Sequence, residues 1–271
     1  MQDKFLYKKE IQKLLADISE VAQYLWDRGW AERNAGNISV NITEYFDETE
    51  MKELSSFPVF TLHKQYPDLV NQIFLVTGTG TRMRDLARNP ILNVCLVYID
   101  ENTSGCHIFC SDNSTGSIQP TSELPTHLSI QQLLRKKQAP EKVVLHTHVL
   151  ELIALTQIPS LKSEEALNRL LWGMHPETLI FVPDGIGFIP YTLPGTEKIA
   201  LATLKGLEKH QVILWEKHGC MAIGKSLPEA FDTIDILAKS AKVFFLCRMA
   251  GIEPEGLTPE QLNEIRATYA G

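Results

Sequence analysis

Two histidines one residue apart, His146 and His148, close the apolar run 143–145. On an extended strand, side chains two positions apart project to the same face, so this pair would present two imidazoles together. A catalytic zinc takes three protein ligands and keeps a position open. The third candidate is His218, which follows the apolar stretch 211–215 and precedes Gly219, a residue suited to a sharp turn. The competing reading is three ordinary half-buried histidines, but His-x-His at a strand end is an arrangement metal binding needs. Cys220, two residues beyond His218, reads as a small buried thiol, because three imidazoles already complete a ligand set.

A second group of residues could handle an anion and a proton. Glu123 stands in the segment 119–127 at the start of an expected helix. Thr121 or Ser122 would N-cap that helix, with Glu123 in its first turn, complementing the helix dipole or serving as a catalytic carboxylate. Asn34 and Asn37 lie in the polar turn 29–37, and Thr79 lies in the Gly/Thr turn 78–81 that follows an apolar strand. These residues either make turns or supply neutral donors to an anion. The Gly/Thr turn lacks the Gly-Lys-Ser/Thr ending of a nucleotide-binding P-loop. Metal, neutral donors and carboxylate, if they converge, suit a phosphorylated ketose whose carbonyl and hydroxyl chelate the ion, which would act as a Lewis acid.

The elements expected to position these residues follow from periodicity. Ile11, Leu14, Leu15, Ile18, Val21, Ala22, Leu25 and Trp26 recur at helical spacing within 4–28. Strands are expected at 38–42, 57–62, 72–77, 93–99, 106–110, 142–148, 177–182 and 211–218. Helices are expected at 82–88, after 122, at 149–157, 164–172, 196–210, 227–249 and 258–269, with Thr196 as an N-cap and Thr258 and Gln261 as a capping box. Residues 100–105 have hairpin-turn chemistry, while His107 and His127 read as structural support. The acidic segment 43–69 reads as an irregular insertion, and 252–271 as a C-terminal helical extension of a single domain spanning 1–271.

The whole chain bounds the function. Its 271 residues, 44% hydrophobic and 22% charged, carry ample material for a packed core, and a net charge of −7 argues against a nucleic-acid partner. No apolar run approaches a membrane span and no signal-peptide pattern opens the sequence. Five scattered cysteines without a CxxC point to reduced thiols and a cytoplasmic location.

In combination, Gly29-Trp-Ala-Glu-Arg-Asn-Ala-Gly-Asn37, Thr77-Gly-Thr-Gly80, Pro120-Thr-Ser-Glu-Leu-Pro-Thr-His127, His146-Thr-His148, Val182-Pro-Asp-Gly185, Pro194-Gly-Thr196 and Lys217-His-Gly219 resemble the class II aldolase/sugar-phosphate epimerase family, from about residue 20 to the C-terminus. The resemblance implies an α/β fold, a single-domain α/β/α three-layer sandwich around a central, mainly antiparallel sheet. It also implies a homotetramer with active sites at subunit interfaces. The implied reaction is retro-aldol cleavage of L-rhamnulose 1-phosphate, through a metal-stabilised enediolate, to dihydroxyacetone phosphate and L-lactaldehyde. Cleavage of L-fuculose 1-phosphate, 4-epimerisation of L-ribulose 5-phosphate and a non-catalytic scaffold are the alternatives. The family's epimerases carry aspartate where this chain has Glu123, which favours an aldolase, and the length and the insertion at 43–69 favour the rhamnulose substrate. Carried over by position, His146, His148 and His218 bind one Zn²⁺ per subunit, and Glu123 moves the proton. Asn34, Asn37, Thr79, Thr121 and Ser122 bind the substrate phosphate, and Glu177 reaches a neighbouring subunit's site. Ala35 stands where the family pattern has glycine and Thr79 where it has serine; both are small, and Thr79 keeps the hydroxyl donor.

Overall fold

The computed structural model describes residues 2–101, 105–111 and 118–269, which divide into two compact units, Met1–Leu145 with Gly224–Pro228 and His146–Ile223 with Glu229–Gly271. In the first unit the helical periodicity of Ile11, Leu15, Ile18, Val21 and Leu25 produces helix α1 (Lys9–Asp27), with all five side chains buried. After the turn come β1 (Asn37–Asn41), α2 (Glu48–Leu54), β2 (Val59–Thr61), β3 (Gln72–Thr77), α3 (Met83–Arg88), β4 (Val94–Ile99), β5 (Gly105–Phe109) and α4 (Leu124–Lys136). The strands are ordered β2-β5-β4-β3-β1, and the pairs β2–β5, β5–β4, β4–β3 and β3–β1 are antiparallel. β3 and β4 are buried along their whole length, as their near-continuous apolar sequences require, whereas the short edge strand β2 is largely exposed. Phe74, Val76, Cys95, Val97 and Cys106 form a core with Leu124 and Leu128 of α4, which fastens that helix to the strands. Burial pushes the Cys106 thiol up to about 12.

The acidic segment 43–69 is more regular than expected. Asp47 accepts a hydrogen bond from the Glu50 backbone N–H at 2.9 Å, and the Glu50 carboxylate accepts one from the Asp47 N–H at 3.1 Å. This capping box starts α2, so the acidic residues that suggested a loop are a helix N-terminus. His107 has the structural role expected of it, bonded through Nδ1 to the Phe57 carbonyl at 2.8 Å and through Nε2 to Asp100 at 3.0 Å. Of the turn expected at 100–105, positions 102–104 lie outside the described residues.

The second unit contains the histidine end of β6 (Val143–Thr147), then α5 (Leu150–Leu155), α6 (Glu164–Met174), α7 (Pro176–Phe181), β7 (Ile186–Ile189), α8 (Glu197–Gly206), β8 (Val212–Trp215), β9 (Gly219–Gly224), α9 (Leu227–Met249) and α10 (Pro259–Tyr269). β8 pairs antiparallel with β9 and parallel with β7. The strand expected at 177–182 is a helix. Pro176 is suited to its first turn, and Thr178, Leu179 and Val182 are buried while Phe181 is exposed, a helical rather than an alternating pattern. The Thr178 hydroxyl shares a 2.6 Å hydrogen bond with Ser240 of α9, which fixes that face. The strand of this region is β7, which begins just after Gly185. Thr196 occupies the N-cap of α8, although its hydroxyl bonds Leu193 rather than a helix N–H. Thr258 and Gln261 form the expected capping box of α10. No described helix is long and apolar enough to cross a membrane.

Candidate metal centre and carboxylate chain

In the second unit, the potential ligand atoms of His146, His148 and His218 all lie within 4.8 Å of one another. They are the one such cluster of metal-ligating residues among the described residues, and Cys220 is not part of it. His146 is the penultimate residue of β6 and is buried, while the other two rings are partly open. The ring Nδ1 of His146 lies 2.9 Å from the Cys220 carbonyl. A carbonyl can only accept, so Nδ1 carries the hydrogen and Nε2 keeps its lone pair for a cation, the usual support for a metal-binding imidazole. Three imidazoles of this spacing fit a zinc-like ion with an open coordination position. Cys220 itself is a buried thiol whose pKa is pushed up by its burial.

Local backbone choices bring His218 to its partners. The tight turn between β8 and β9 places Lys217 at φ 62°, and its N–H is held by the Thr156 hydroxyl at 3.0 Å. Gly219 was expected to supply turn freedom, but its role is space. A Cβ there would sit 2.6 Å from the Thr147 carbonyl, 2.9 Å from His148 and 3.2 Å from His146. Trp215, not singled out by sequence, packs its ring 4.8 Å from His146 and 5.0 Å from His218, centroid to centroid, and is pinned by a 2.9 Å bond from its Nε1 to Thr203.

The carboxylate group is in the first unit. Glu123 is the N-cap residue of α4 itself, not a member of its first turn, and its side chain caps no helix N–H. Its carboxylate instead accepts from Asn37 Nδ2 at 3.0 Å, and the Asn37 Oδ1 is bonded by Nε2 of the fully buried His127. The Thr121 hydroxyl accepts from the Glu123 backbone N–H at 3.3 Å. Two further backbone bonds, Thr79 N–H to Gln119 at 2.7 Å and Thr121 N–H to Thr77 at 2.9 Å, tie the Gly/Thr turn to the segment that leads into α4. A bridge between Gly78 and Pro120 does the same. The structure therefore brings Asn37, Thr79, Thr121, Ser122 and Glu123 to one end of this unit.

The placements differ in what they leave accessible. Asn34, Thr79 and Ser122 are exposed, Thr121 and Asn37 are buried, and the Asn37 amide is engaged at both ends. Glu177 sits in the first turn of α7, half-exposed, with its carboxylate 3.1 Å from His175. Sequence reasoning treated His127 as mere support and passed over Ser39 and Gln131. Glu123, His127 and Gln131 fall at i, i+4 and i+8 on one helix row, and Asn37 and Ser39 alternate on β1, a pairing of polar rows that was there to be seen.

Comparison with known proteins identifies the family. Residues 16–245 match the family described as Class II Aldolase and Adducin N-terminal domain. A protein of Bacteroides thetaiotaomicron named rhamnulose-1-phosphate aldolase is 41% identical, over 96% of this chain and 94% of the relative. One of that name from Klebsiella pneumoniae is 35% identical, over 88% and 86%. The crystal structure of a sugar-phosphate aldolase from Thermotoga maritima superposes with a TM-score of 0.72 at 31% identity, covering 91% of this chain and all of the other. The chain belongs to the class II aldolase and adducin N-terminal domain family.

Proposed function

We propose that this chain is a metal-dependent aldehyde-lyase that cleaves L-rhamnulose 1-phosphate to dihydroxyacetone phosphate and L-lactaldehyde. The observation that carries the reading is the cluster of His146, His148 and His218 with ligand atoms within 4.8 Å. The relatives named rhamnulose-1-phosphate aldolase support the choice of substrate. The three imidazoles hold one zinc ion, which supplies positive charge to draw electron density from the ketose carbonyl. Asn34, Asn37, Thr79, Thr121 and Ser122 form the phosphate pocket, in which the exposed Asn34, Thr79 and Ser122 make the contacts and the buried Asn37 and Thr121 stand behind them, without adding a cation. As the C3–C4 bond breaks, the C4 hydroxyl loses its proton and the aldehyde leaves; Glu123 moves the proton that the remaining carbon, C3, takes up.

By resemblance to the family, the whole chain works as one catalytic domain, an α/β/α sandwich around a mainly antiparallel sheet, with 43–69 as an insertion. It assembles as a homotetramer in the cytoplasm, and Glu177 acts in a neighbouring subunit's site. The test is release of dihydroxyacetone phosphate from L-rhamnulose 1-phosphate with and without a chelator, beside matched L-fuculose 1-phosphate and L-ribulose 5-phosphate. Fast, chelator-sensitive cleavage of the rhamnulose ester alone is expected. Metal-loaded protein that cleaves none of the three would sink the proposal.

A further inference from the structure

We infer that His127 is a positioning residue for Glu123, acting through Asn37 at the end of a one-way chain of hydrogen bonds. The inference rests on the role proposed above for Glu123. The chain runs between one row of α4 and one face of β1. Gln131 Nε2 lies 3.4 Å from the Ser39 hydroxyl, Ser39 Oγ lies 2.8 Å from His127 Nδ1, His127 Nε2 bonds Asn37 Oδ1, and Asn37 Nδ2 lies 3.0 Å from Glu123 Oε2.

The direction of each link follows from what each atom can do. A carboxylate only accepts, so the Asn37 amide must turn its NH₂ toward Glu123 and its oxygen toward His127. That oxygen only accepts, so His127 Nε2 carries a hydrogen. In the neutral ring Nδ1 is then an acceptor and takes the single hydroxyl hydrogen of Ser39. Ser39 can still accept from Gln131, whose amide also donates to the Lys142 carbonyl at 3.0 Å. Every donor points the same way and the last acceptor is the carboxylate, an arrangement in which each bond polarises the next.

Burial makes the chain hard to replace. His127, Ser39 and Gln131 are nearly inaccessible and Asn37 is 7% exposed, so solvent has little room to substitute for a missing link. Without the His127 N–H the Asn37 amide can rotate, and its oxygen can face the carboxylate and push it aside. The seam thus holds one carboxylate oxygen in place, so that the Glu123 side chain meets its substrate in one orientation. A misplacement of about 1 Å in such a group costs roughly 10²-fold in rate.

The experiment compares wild type, His127→Leu and His127→Gln, with substrate kinetics, metal content and ¹⁵N spectra of the histidine rings. Glutamine can place an N–H near the Nε2 position, and leucine cannot. His127→Leu should lose roughly 10²-fold in kcat with KM and metal content little changed, and His127→Gln should recover most of that loss. The wild-type His127 ring should carry its hydrogen on Nε2. Should the leucine variant fail to fold, Ser39→Ala reads the chain one link further back and should lower kcat below wild type by less than roughly 10²-fold. Wild-type turnover in His127→Leu or in Ser39→Ala, a glutamine variant as impaired as the leucine one, or a hydrogen on Nδ1 alone would overturn the inference. Wild type that cleaves no ketose phosphate overturns the proposed function itself, and the positioning role falls with it.

Discussion

The metal centre and the carboxylate chain solve one problem, orienting a polar side chain in a buried place, by different means. His146 is oriented by a backbone carbonyl, that of Cys220, and the triad closes up because Gly219 leaves room for it. Glu123 is oriented through side chains, Asn37 and then His127, 86 and 90 residues apart in sequence within each pair. Substitution cannot remove a backbone carbonyl, so the metal half should tolerate changes around its ligands, Gly219 excepted. The carboxylate half should lose function one side chain at a time.

The largest effect separates the halves. His148→Ala leaves two imidazoles where a stable site needs three. Bound metal should fall well below one per chain, and turnover by roughly 10³-fold, the upper scale for losing an oriented charge stabiliser. Metal analysis of the purified variant checks the first claim; full metal occupancy would remove His148 from the ligand set. Glu123→Gln is the complementary change. It should keep its metal and lose roughly 10²-fold or more in kcat, as expected for a group that transfers protons. Unchanged turnover would end the role assigned to Glu123, and lost metal would collapse the contrast between the halves.

The same contrast explains what the sequence made legible. Histidine has few reasons to recur as His-x-His beside an apolar run, so residue type and spacing made His146, His148 and His218 candidates, and the structure brings their ligand atoms together. Asparagine, serine and glutamine have many uses, and which of them meet depends on how α4 lies on β1, a fact of packing that no local pattern contains. Long apolar runs such as β3 and β4, and the periodic helices α1 and α9, were legible for the same reason as the histidines. Helix α7 was not, because Thr178, Leu179 and Ile180 have the composition of a strand and only the burial of Thr178, Leu179 and Val182 reveals a helical face. Gly219 was noticed for the wrong property, because backbone freedom can be guessed from a glycine and a close approach of three neighbours cannot.

Gly219→Ala tests the exception in the metal half. The added methyl has no space against the Thr147 carbonyl at 2.6 Å, so backbone or rings must move. Overpacking of this kind costs about 1–3 kcal/mol of stability, and disturbing the support of a ligand weakens metal binding by roughly 10- to 100-fold. Thermal unfolding with and without added zinc measures both. Unaltered zinc affinity would mean that the triad adapts more freely than its packing indicates.

The smallest effect belongs to Lys142, where a side chain and a backbone group of one residue do different work. Its carbonyl accepts from Gln131 and from the Asn41 N–H, while its ammonium reaches Glu44 at 2.6 Å. Lys142→Met keeps the carbonyl and removes the ion pair, whose side chains are 37% and 58% exposed, together with the approach of the ammonium to the Tyr45 ring, 5.7 Å from its centroid. Solvent screening limits such a pair to about 0.5 kcal/mol. The hydrogen bond from Lys142 holds the Glu44 carboxyl below its ordinary pKa, and the same bond holds the ammonium above its own. The Glu44 contribution is therefore present above the ordinary carboxylate pKa and is lost as the pH falls through the lowered folded value. The lysine contribution is present below the ordinary lysine pKa and is lost as the pH rises through the raised one. Wild type and Lys142→Met should differ slightly at neutral pH and converge in acid below the lowered Glu44 pKa, as read by urea unfolding across that range. A difference well above about 1 kcal/mol would mean that the Lys142 side chain supports the buried chain as its carbonyl does.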